Sequence, residues 1–247
     1  MPRPVLLVLA GVNGAGKSSV GGYLLRREGL SWVNPDAFAR ELVSDSHYSQ
    51  EEANAIAWGE GLRRLDEALE NGHSHAFETT LGGRTLPARI QAAAQTHDVA
   101  IWFCGLASPE AHIERVRQRV TQGGHAIPEA TIRERYPAAL QNLIRLMPSL
   151  TYLRVYDNSA DAAVGEGIPD PVLVLEVAGR RVLHPVTPAA LAGTPDWAKP
   201  LVEAALQHEE DEAGPVAGAP APEPSHNQAP TRDFEQEPTT GDRRRSR

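Results

Sequence analysis

The sequence predicts an α/β fold of three layers, with helices on both faces of a mainly parallel, five-stranded sheet. Short apolar runs alternate along the chain with longer stretches of helical periodicity, which is the pattern of successive βαβ units. The apolar runs are Val5–Leu9, Ser31–Asn34, His75–Thr79, Val99–Leu106 and Leu150–Tyr156. The candidate helices between them cover residues 17–27, 49–71, 84–96, 109–120 and 129–147. Parallel neighbours connected in this way require right-handed crossovers.

The C-terminal part of the chain departs from this alternation. Two short segments, Val172–Val177 and Arg180–His184, flank Ala178-Gly179 and predict a hairpin over about 172–184, at the edge of the sheet or over one face. Residues 196–206 predict a last short helix. From residue 207 onward Pro, Ala, Gly and Glu dominate, and such a segment cannot bury enough apolar surface to offset its ordering entropy. We therefore expect one domain over 1–206 and a disordered tail over 207–247.

Composition excludes several classes of protein. The 247 residues carry a formal net charge of −8, which gives no support for binding to nucleic acids. The single cysteine, Cys104, cannot form an internal disulfide or a cysteine-based zinc site. No apolar run approaches the roughly 18 residues of a membrane-spanning helix. We expect a cytoplasmic protein that binds neither nucleic acid nor membrane.

A phosphate loop follows the first predicted strand. Residues 11–18, Gly-Val-Asn-Gly-Ala-Gly-Lys-Ser, match G-x-x-x-x-G-K-[ST] between a strand and a helix, which is the context that this motif requires. Lys17 is expected to bind the β- and γ-phosphates of ATP, and the Ser18 hydroxyl is expected to bind Mg²⁺. The expected nucleotide contacts are Gly11, Asn13, Gly14, Ala15, Gly16, Lys17, Ser18 and Ser19.

Other features favour a kinase among the P-loop proteins. The chain lacks an Asn-Lys-x-Asp stretch that reads guanine, and it lacks an apolar run ending in Asp-Glu, as found in ATPase motors. Phosphoryl transfer by small-molecule kinases depends mainly on positioning and charge neutralisation. The sequence therefore predicts a P-loop kinase-like fold that transfers the ATP γ-phosphate to a hydroxyl group.

Candidate acceptor residues follow the second and third predicted strands, where ligands bind in open α/β sheets. Asp36, in the stretch Asn-Pro-Asp, is the candidate catalytic base, with capping of a helix as the alternative. The candidate substrate-binding residues are Glu78, Thr79, Thr80 and Arg84. A carboxylate and two hydroxyls here suit a polar acceptor or a Mg²⁺-bound water; the alternative is capping of the next helix.

An arginine-rich stretch over about 115–135 predicts a lid. Two helix ends rich in arginine flank Gly123-Gly124, a turn suited to closing over ATP. The arginines are Arg115, Arg117, Arg119, Arg133 and Arg135. Arg119 and Arg135 are the candidates for catalysis, together with Lys17 and Asp36. The alternative is a set of solvated arginines around an ordinary loop.

With these motifs in this order and spacing, the chain resembles the zeta toxin family over roughly residues 1–160. The Asn-Pro-Asp and Gly-Gly-His stretches carry the resemblance more than the phosphate loop does. The resemblance implies an ATP-dependent kinase that phosphorylates the amino sugar of UDP-N-acetylglucosamine and is restrained by a small helical antitoxin. It also implies that Asp36 is the base, that Glu78 and Thr80 belong to the substrate region, and that Arg119 pairs with Arg133 or Arg135.

Two alternative functions remain open at this point. The acceptor could be another small hydroxyl compound, such as an antibiotic, a nucleoside or a metabolite. The chain could also be a nucleotide-dependent interaction module whose ATP state a partner recognises through the tail.

Overall fold

The structure is a computed structural model that describes residues 2–18, 21, 34–45, 48–160 and 169–213. Of the predicted helix over 17–27, it describes only Lys17, Ser18 and Gly21, and of the predicted strand over 31–34 only Asn34. Residues 214–247, which form most of the predicted tail, lie outside the described part, so the disorder of the tail stays a prediction.

Six strands form one mixed sheet in the described part of the chain. They are β1 (Val5–Ala10), β2 (His75–Thr79), β3 (Asp98–Gly105), β4 (Tyr152–Asp157), β5 (Val172–Ala178) and β6 (Arg181–His184), in the spatial order β2-β1-β3-β4-β5-β6. The first four are parallel, and β5 and β6 are antiparallel. The predicted α/β class is confirmed, and the predicted hairpin extends the edge of the sheet instead of covering a face.

Seven helices accompany the sheet within the described ranges: α1 (Pro35–Asp45), α2 (Gln50–Glu70), α3 (Thr85–Ala93), α4 (Pro109–Thr121), α5 (Glu129–Leu146), α6 (Pro188–Ala192) and α7 (Lys199–Ala213). The expected signals begin α4, because the Ser108 hydroxyl accepts the N–H of Ala111 and Pro109 occupies the first turn. Helix α5 continues through Pro137. Helix α7 runs past residue 207, where the sequence predicted the tail to begin. No described helix is long and apolar enough to cross a membrane.

The main core lies between one face of the sheet and helices α3, α5 and α7. Phe103 of β3, Ile90, Leu143 and Leu201 all belong to this core, and all four side chains are almost fully buried. On the opposite face Leu9 approaches Gly21, which belongs to the segment after the phosphate loop. Strand β1 is therefore buried on both faces, which explains its continuous apolar sequence.

Strand register places two loops side by side at the carboxyl edge of the sheet. Leu9 of β1 lies opposite Glu78 of β2, and Ala10 lies opposite Thr79. The loop that starts at Gly11 therefore leaves the sheet next to the loop that starts at Thr80. Parallel pairing is what brings together two segments that are nearly 70 residues apart in the chain.

Two glycines provide a matched test of packing. A Cβ on Gly105, at the end of β3, would lie 2.2 Å from the Trp197 ring, whereas a Cβ on Gly59 of α2 would have no atom within 4 Å. We expect Gly105→Ala to lower the free energy of unfolding by about 1–3 kcal/mol through overpacking. Gly59→Ala should raise it by about 0.5–1 kcal/mol through helix propensity. Urea denaturation of both variants checks this, and equal effects would contradict the described packing.

Candidate active site

The phosphate loop passes very close to two neighbouring segments. Gly11 has φ +140°, and a Cβ there would lie 2.2 Å from the carbonyl oxygen of Cys104. Gly16 has φ +86°, and a Cβ there would lie 2.5 Å from Nδ2 of Asn158. Both positions therefore need glycine for conformation and for space. The loop has the tight, inward-curled form in which backbone N–H groups can surround phosphate oxygens.

Three side chains from distant segments brace this loop. His112 of α4 donates from Nδ1 to the carbonyl oxygen of Asn13 at 2.9 Å. Asn158, just after β4, donates to the carbonyl oxygen of Ala15 at 2.9 Å. Arg135 of α5 donates to Oδ1 of Asn13 at 2.8 Å. The rest of the fold thus holds the loop in place through these three hydrogen bonds.

Glu78 connects the charged and polar residues at the base of the site. Its carboxylate lies 3.6 Å from Nζ of Lys17, and both side chains are only 8% exposed. It also accepts hydrogen bonds from the Ser18 hydroxyl at 2.9 Å and from the Asn34 amide at 3.0 Å. The structure therefore brings Glu78, predicted as a substrate-binding residue, directly to the phosphate loop.

Hard oxygen donors next to a phosphate loop suit Mg²⁺. The Ser18 hydroxyl and the Glu78 carboxylate are such donors, and Mg²⁺ in kinase sites is usually held by one or two carboxylates together with substrate phosphates. No group of three or more His, Cys, Asp or Glu side chains suited to a metal occurs in the described ranges. The Ser18 hydroxyl and the Glu78 carboxylate fit a Mg²⁺ that is held together with nucleotide phosphates.

Asp36 lies in the first turn of α1 and is free of the capping role that was its alternative. Asn34 performs that role, since its Oδ1 accepts the N–H of Ala37 at 3.1 Å. Asp36 is half-buried and lines the cleft beside the phosphate loop. A carboxylate in this position can accept a proton from a hydroxyl group that is bound in the cleft.

The cleft has a volume of about 310 Å³ and is lined by residues that the sequence assigned to the phosphate loop, to acceptor binding and to the arginine-rich stretch. The lining residues are Asn13, Lys17, Asn34, Pro35, Asp36, Asn54, Ala57, Trp58, Glu78, Thr79, Thr80, His125, Ile127 and Arg135. The predicted base, lysine, one lid arginine and three acceptor-loop residues therefore share one cavity. Ser19 lies outside the described residues.

The two threonines of the acceptor loop stabilise the loop itself. The Thr79 hydroxyl accepts the N–H of Leu81 at 3.1 Å, and the Thr80 hydroxyl accepts the N–H of Gly82 at 3.4 Å. The next helix begins only at Thr85, so neither threonine caps it. Arg84 precedes that helix, is exposed and does not line the cleft, so the structure does not bring it to the other predicted substrate residues.

The five lid arginines separate into two groups. Three are held away from the cleft: Arg115 donates to the carbonyl oxygen of Ala160, Arg117 pairs with Glu129, and Arg133 pairs with Glu110. Both ion pairs join α4 to α5. Arg135 lines the cleft and donates a hydrogen bond to Asn13, which also lines it. Of the two arginines that the resemblance offered as the second lid residue, the geometry favours Arg135 over Arg133.

Arg119 holds the turn between the lid helices. It donates to the carbonyl oxygen of His125 at 3.2 Å, and its Nε is buried without a partner in the described structure. The turn packs closely against the Arg119 side chain, since a Cβ on Gly124 would lie 2.7 Å from Cγ of Arg119. His125 lines the cleft; burial lowers the pKa of its imidazole, and the charge of Asp36 opposes this effect.

Sequence reasoning missed several residues of the site. Asn54 and Trp58 line the cleft from α2, and Trp58 is 44% exposed there. The two residues are four positions apart, which places them on the same face of a predicted helix, and this spacing could have identified them as a pair. His112 and Asn158 gave no signal, because their contacts join positions about 100 or more residues apart.

The fold and the site define a class of protein. A mixed sheet with a phosphate loop at its carboxyl edge and flanking helices is an α/β P-loop kinase-like fold. The sequence profile of the AAA domain family matches residues 6–137, which is more than half of the 247-residue chain. The chain therefore belongs to this family.

Solved structures share the fold at low sequence identity. A chain of the AvrRxo1-ORF1:AvrRxo1-ORF2 complex with ATP has a TM-score of 0.55 at 17% identity, covering 85% of this chain and 81% of that one. The same complex with sulphate ions has a TM-score of 0.52 at 18% identity, covering 84% and 81%. The PezAT toxin–antitoxin system of Streptococcus pneumoniae has a TM-score of 0.47 at 16% identity, covering 64% and 68%. No curated protein matches the sequence.

The buried His112 predicts how stability depends on pH. Burial lowers its pKa from 6.5 to about 4, so the unfolded chain binds a proton between these values and the folded chain does not. Stability therefore falls as the pH drops from 6.5 to 4, by roughly 3 kcal/mol at most for this group. Urea denaturation of the wild type and His112→Gln at several pH values checks this. An unchanged slope in the variant would contradict it.

Proposed function

We propose that this protein is an ATP-dependent small-molecule kinase of the zeta toxin type, with a hydroxyl of UDP-N-acetylglucosamine as its acceptor. One observation carries the proposal: Lys17 of the phosphate loop, Asp36 and Arg135 line the same cleft. Donor binding, proton acceptance and charge stabilisation are the three requirements of phosphoryl transfer, and each has a residue there.

The proposed step uses these residues in distinct roles. The acceptor hydroxyl oxygen forms a bond to the γ-phosphorus, the bond from that phosphorus to the β,γ-bridging oxygen breaks, and ADP leaves. The hydroxyl proton passes to the carboxylate of Asp36. Lys17 and Arg135 stabilise the negative charge on the phosphoryl oxygens during transfer. Arg135 first has to exchange its hydrogen bond with Asn13 for a phosphate oxygen.

A bound Mg²⁺ would neutralise phosphate charge, and Ser18 with Glu78 would hold it. Glu78 has a second effect of its own. Its carboxylate keeps Lys17 and Ser18 at the mouth of the phosphate loop, because it contacts both side chains. ATP as donor is further supported by the structure of the same fold that was solved with ATP.

The acceptor and the partner come from the resemblance to zeta toxins. A polar cleft that adjoins the phosphate loop suits a hydroxyl acceptor, and the exposed Trp58 offers an apolar surface beside it. The proposal includes a small helical antitoxin as partner, as the resemblance to zeta toxins implies. Other hydroxyl compounds stay as outcomes of the acceptor test.

The acceptor is tested by incubating the protein with ATP, Mg²⁺ and UDP-N-acetylglucosamine. We expect mass spectrometry to detect one phosphate added to the sugar nucleotide, and we expect Lys17→Ala to abolish it, because the phosphates lose their main cation. The exposed Arg63→Ala is the matched control for loss of one positive charge. Absence of product from protein that binds ATP would reject this acceptor and lead to a screen of other hydroxyl compounds.

Asp36→Asn tests the proton acceptor. The variant keeps the size of the side chain but removes its basicity, so transfer to the acceptor should fall by about 10² to 10⁴-fold. ATP affinity should remain within about threefold, because Asp36 makes no described contact with the phosphate loop. Glu41→Gln, an exposed carboxylate of the same helix, serves as control. Near-normal turnover of Asp36→Asn would exclude its role as base.

A further inference from the structure

The acceptor loop contains a residue in an unfavourable conformation. Leu81 has φ +57°, in the left-handed region that a bulky side chain rarely adopts. It is the only described residue other than glycine with a positive φ, and its side chain is 1% exposed. Such a conformation persists only where the surrounding structure holds it, and it is concentrated at functional sites.

Asn142 of α5 holds this loop. Its side chain is only 8% exposed, and Nδ2 donates to the carbonyl oxygens of Leu81 at 2.8 Å and of Gly83 at 2.9 Å. Together with Thr79 and Thr80, which accept the two N–H groups, it satisfies the loop backbone on both sides of the turn. A buried amide that donates both of its N–H hydrogens to one loop constrains the conformation of that loop in addition to filling the core.

The same loop touches the arginine that reaches the cleft. A Cβ on Gly82 would lie 2.6 Å from Cγ and 3.1 Å from Cα of Arg135, so the loop backbone packs directly on that residue. Arg135 and Asn142 are seven residues apart on α5, which places them on one face about two turns apart. Helix α5 thus contacts the loop between Thr80 and Gly83 through both Arg135 and Asn142.

We propose that Asn142 is a positioning residue for phosphoryl transfer, and this inference rests on the proposed function. Its amide keeps Leu81 in the left-handed conformation, which keeps Gly82 against Arg135 and sets Arg135 relative to Thr79 and Thr80 in the cleft. Asn142 contacts neither the phosphate loop nor Asp36 in the described structure. It acts through the loop, so its loss affects transfer more than ATP binding.

Asn142→Leu removes both donors and keeps the branching and the number of heavy atoms of the side chain. We expect kcat for transfer to UDP-N-acetylglucosamine to fall by about tenfold to a hundredfold, because small displacements of positioning groups have effects of this size. The Kd for ATP should stay within about threefold. Amide hydrogen exchange of a peptide spanning 79–84 should become faster. Leu146→Ala, a core change on the same helix, should alter neither the ratio of kcat to ATP affinity nor this exchange.

Rescue separates positioning from general damage. Glycine adopts a left-handed conformation without a steric penalty, whereas alanine does not, and both remove the same side chain of Leu81. Added to Asn142→Leu, Leu81→Gly should therefore give a kcat at least about fivefold above that with Leu81→Ala. The inference is overturned if Asn142→Leu retains kcat within threefold, if ATP binding falls as much as kcat, or if the two double variants are equal.

Failure of the proposed function gives a different result. If the wild type does not phosphorylate UDP-N-acetylglucosamine, the same variants are compared in the Lys17-dependent hydrolysis of ATP to ADP. A slower reaction in Asn142→Leu with unchanged ATP affinity then supports the positioning role while the acceptor is rejected. If the wild type hydrolyses no ATP and transfers phosphate to none of the hydroxyl compounds in the acceptor screen, the kinase and the positioning role are both rejected.

Discussion

The arrangement of this site depends on the buried contact between Glu78 and Lys17. A lysine that is 8% exposed needs a partner, since an unpaired buried charge is strongly unfavourable. Glu78 supplies that partner from the neighbouring strand, and its second oxygen also binds Ser18 and Asn34. One carboxylate thus joins the phosphate loop, the end of β2 and the start of α1. The parallel pairing of β1 with β2 is what makes this meeting possible.

Contacts from other segments of the fold also fix the phosphate loop. His112, Asn158 and Arg135 hold the phosphate loop by hydrogen bonds to its backbone and to Asn13. Binding then requires little further ordering of the loop, and preorganised donors act on the transferring group without rearrangement. Arg135 is the exception, because its bond to Asn13 has to be exchanged for a contact with phosphate.

The elements of the fold were predictable because their signals are local. Apolar runs and the phosphate loop each lie within a few residues. The described ranges contain the corresponding elements, except for the strand over 31–34 and most of the helix over 17–27, which lie outside those ranges. The sequence could not show that Asn34, and not Asp36, caps helix α1, because both residue types cap helices. The sequence also could not show which arginines line the cleft. Arg117 and Arg133 are held away from it by ion pairs with Glu129 and Glu110, and each of these pairs joins two different helices. Asn142 and His112 act only through tertiary contacts.

The hairpin that ends the sheet also bears on the solubility of the protein. An exposed edge strand presents unpaired backbone groups to which another chain can add a strand, and this is a route to aggregation. β6 is the last strand of the described sheet and has only four residues. It begins at Arg181 and is followed by Pro185, which has no N–H to donate. A short, charged and proline-terminated edge gives an incoming strand little to pair with, so the sheet is protected against growth on this side.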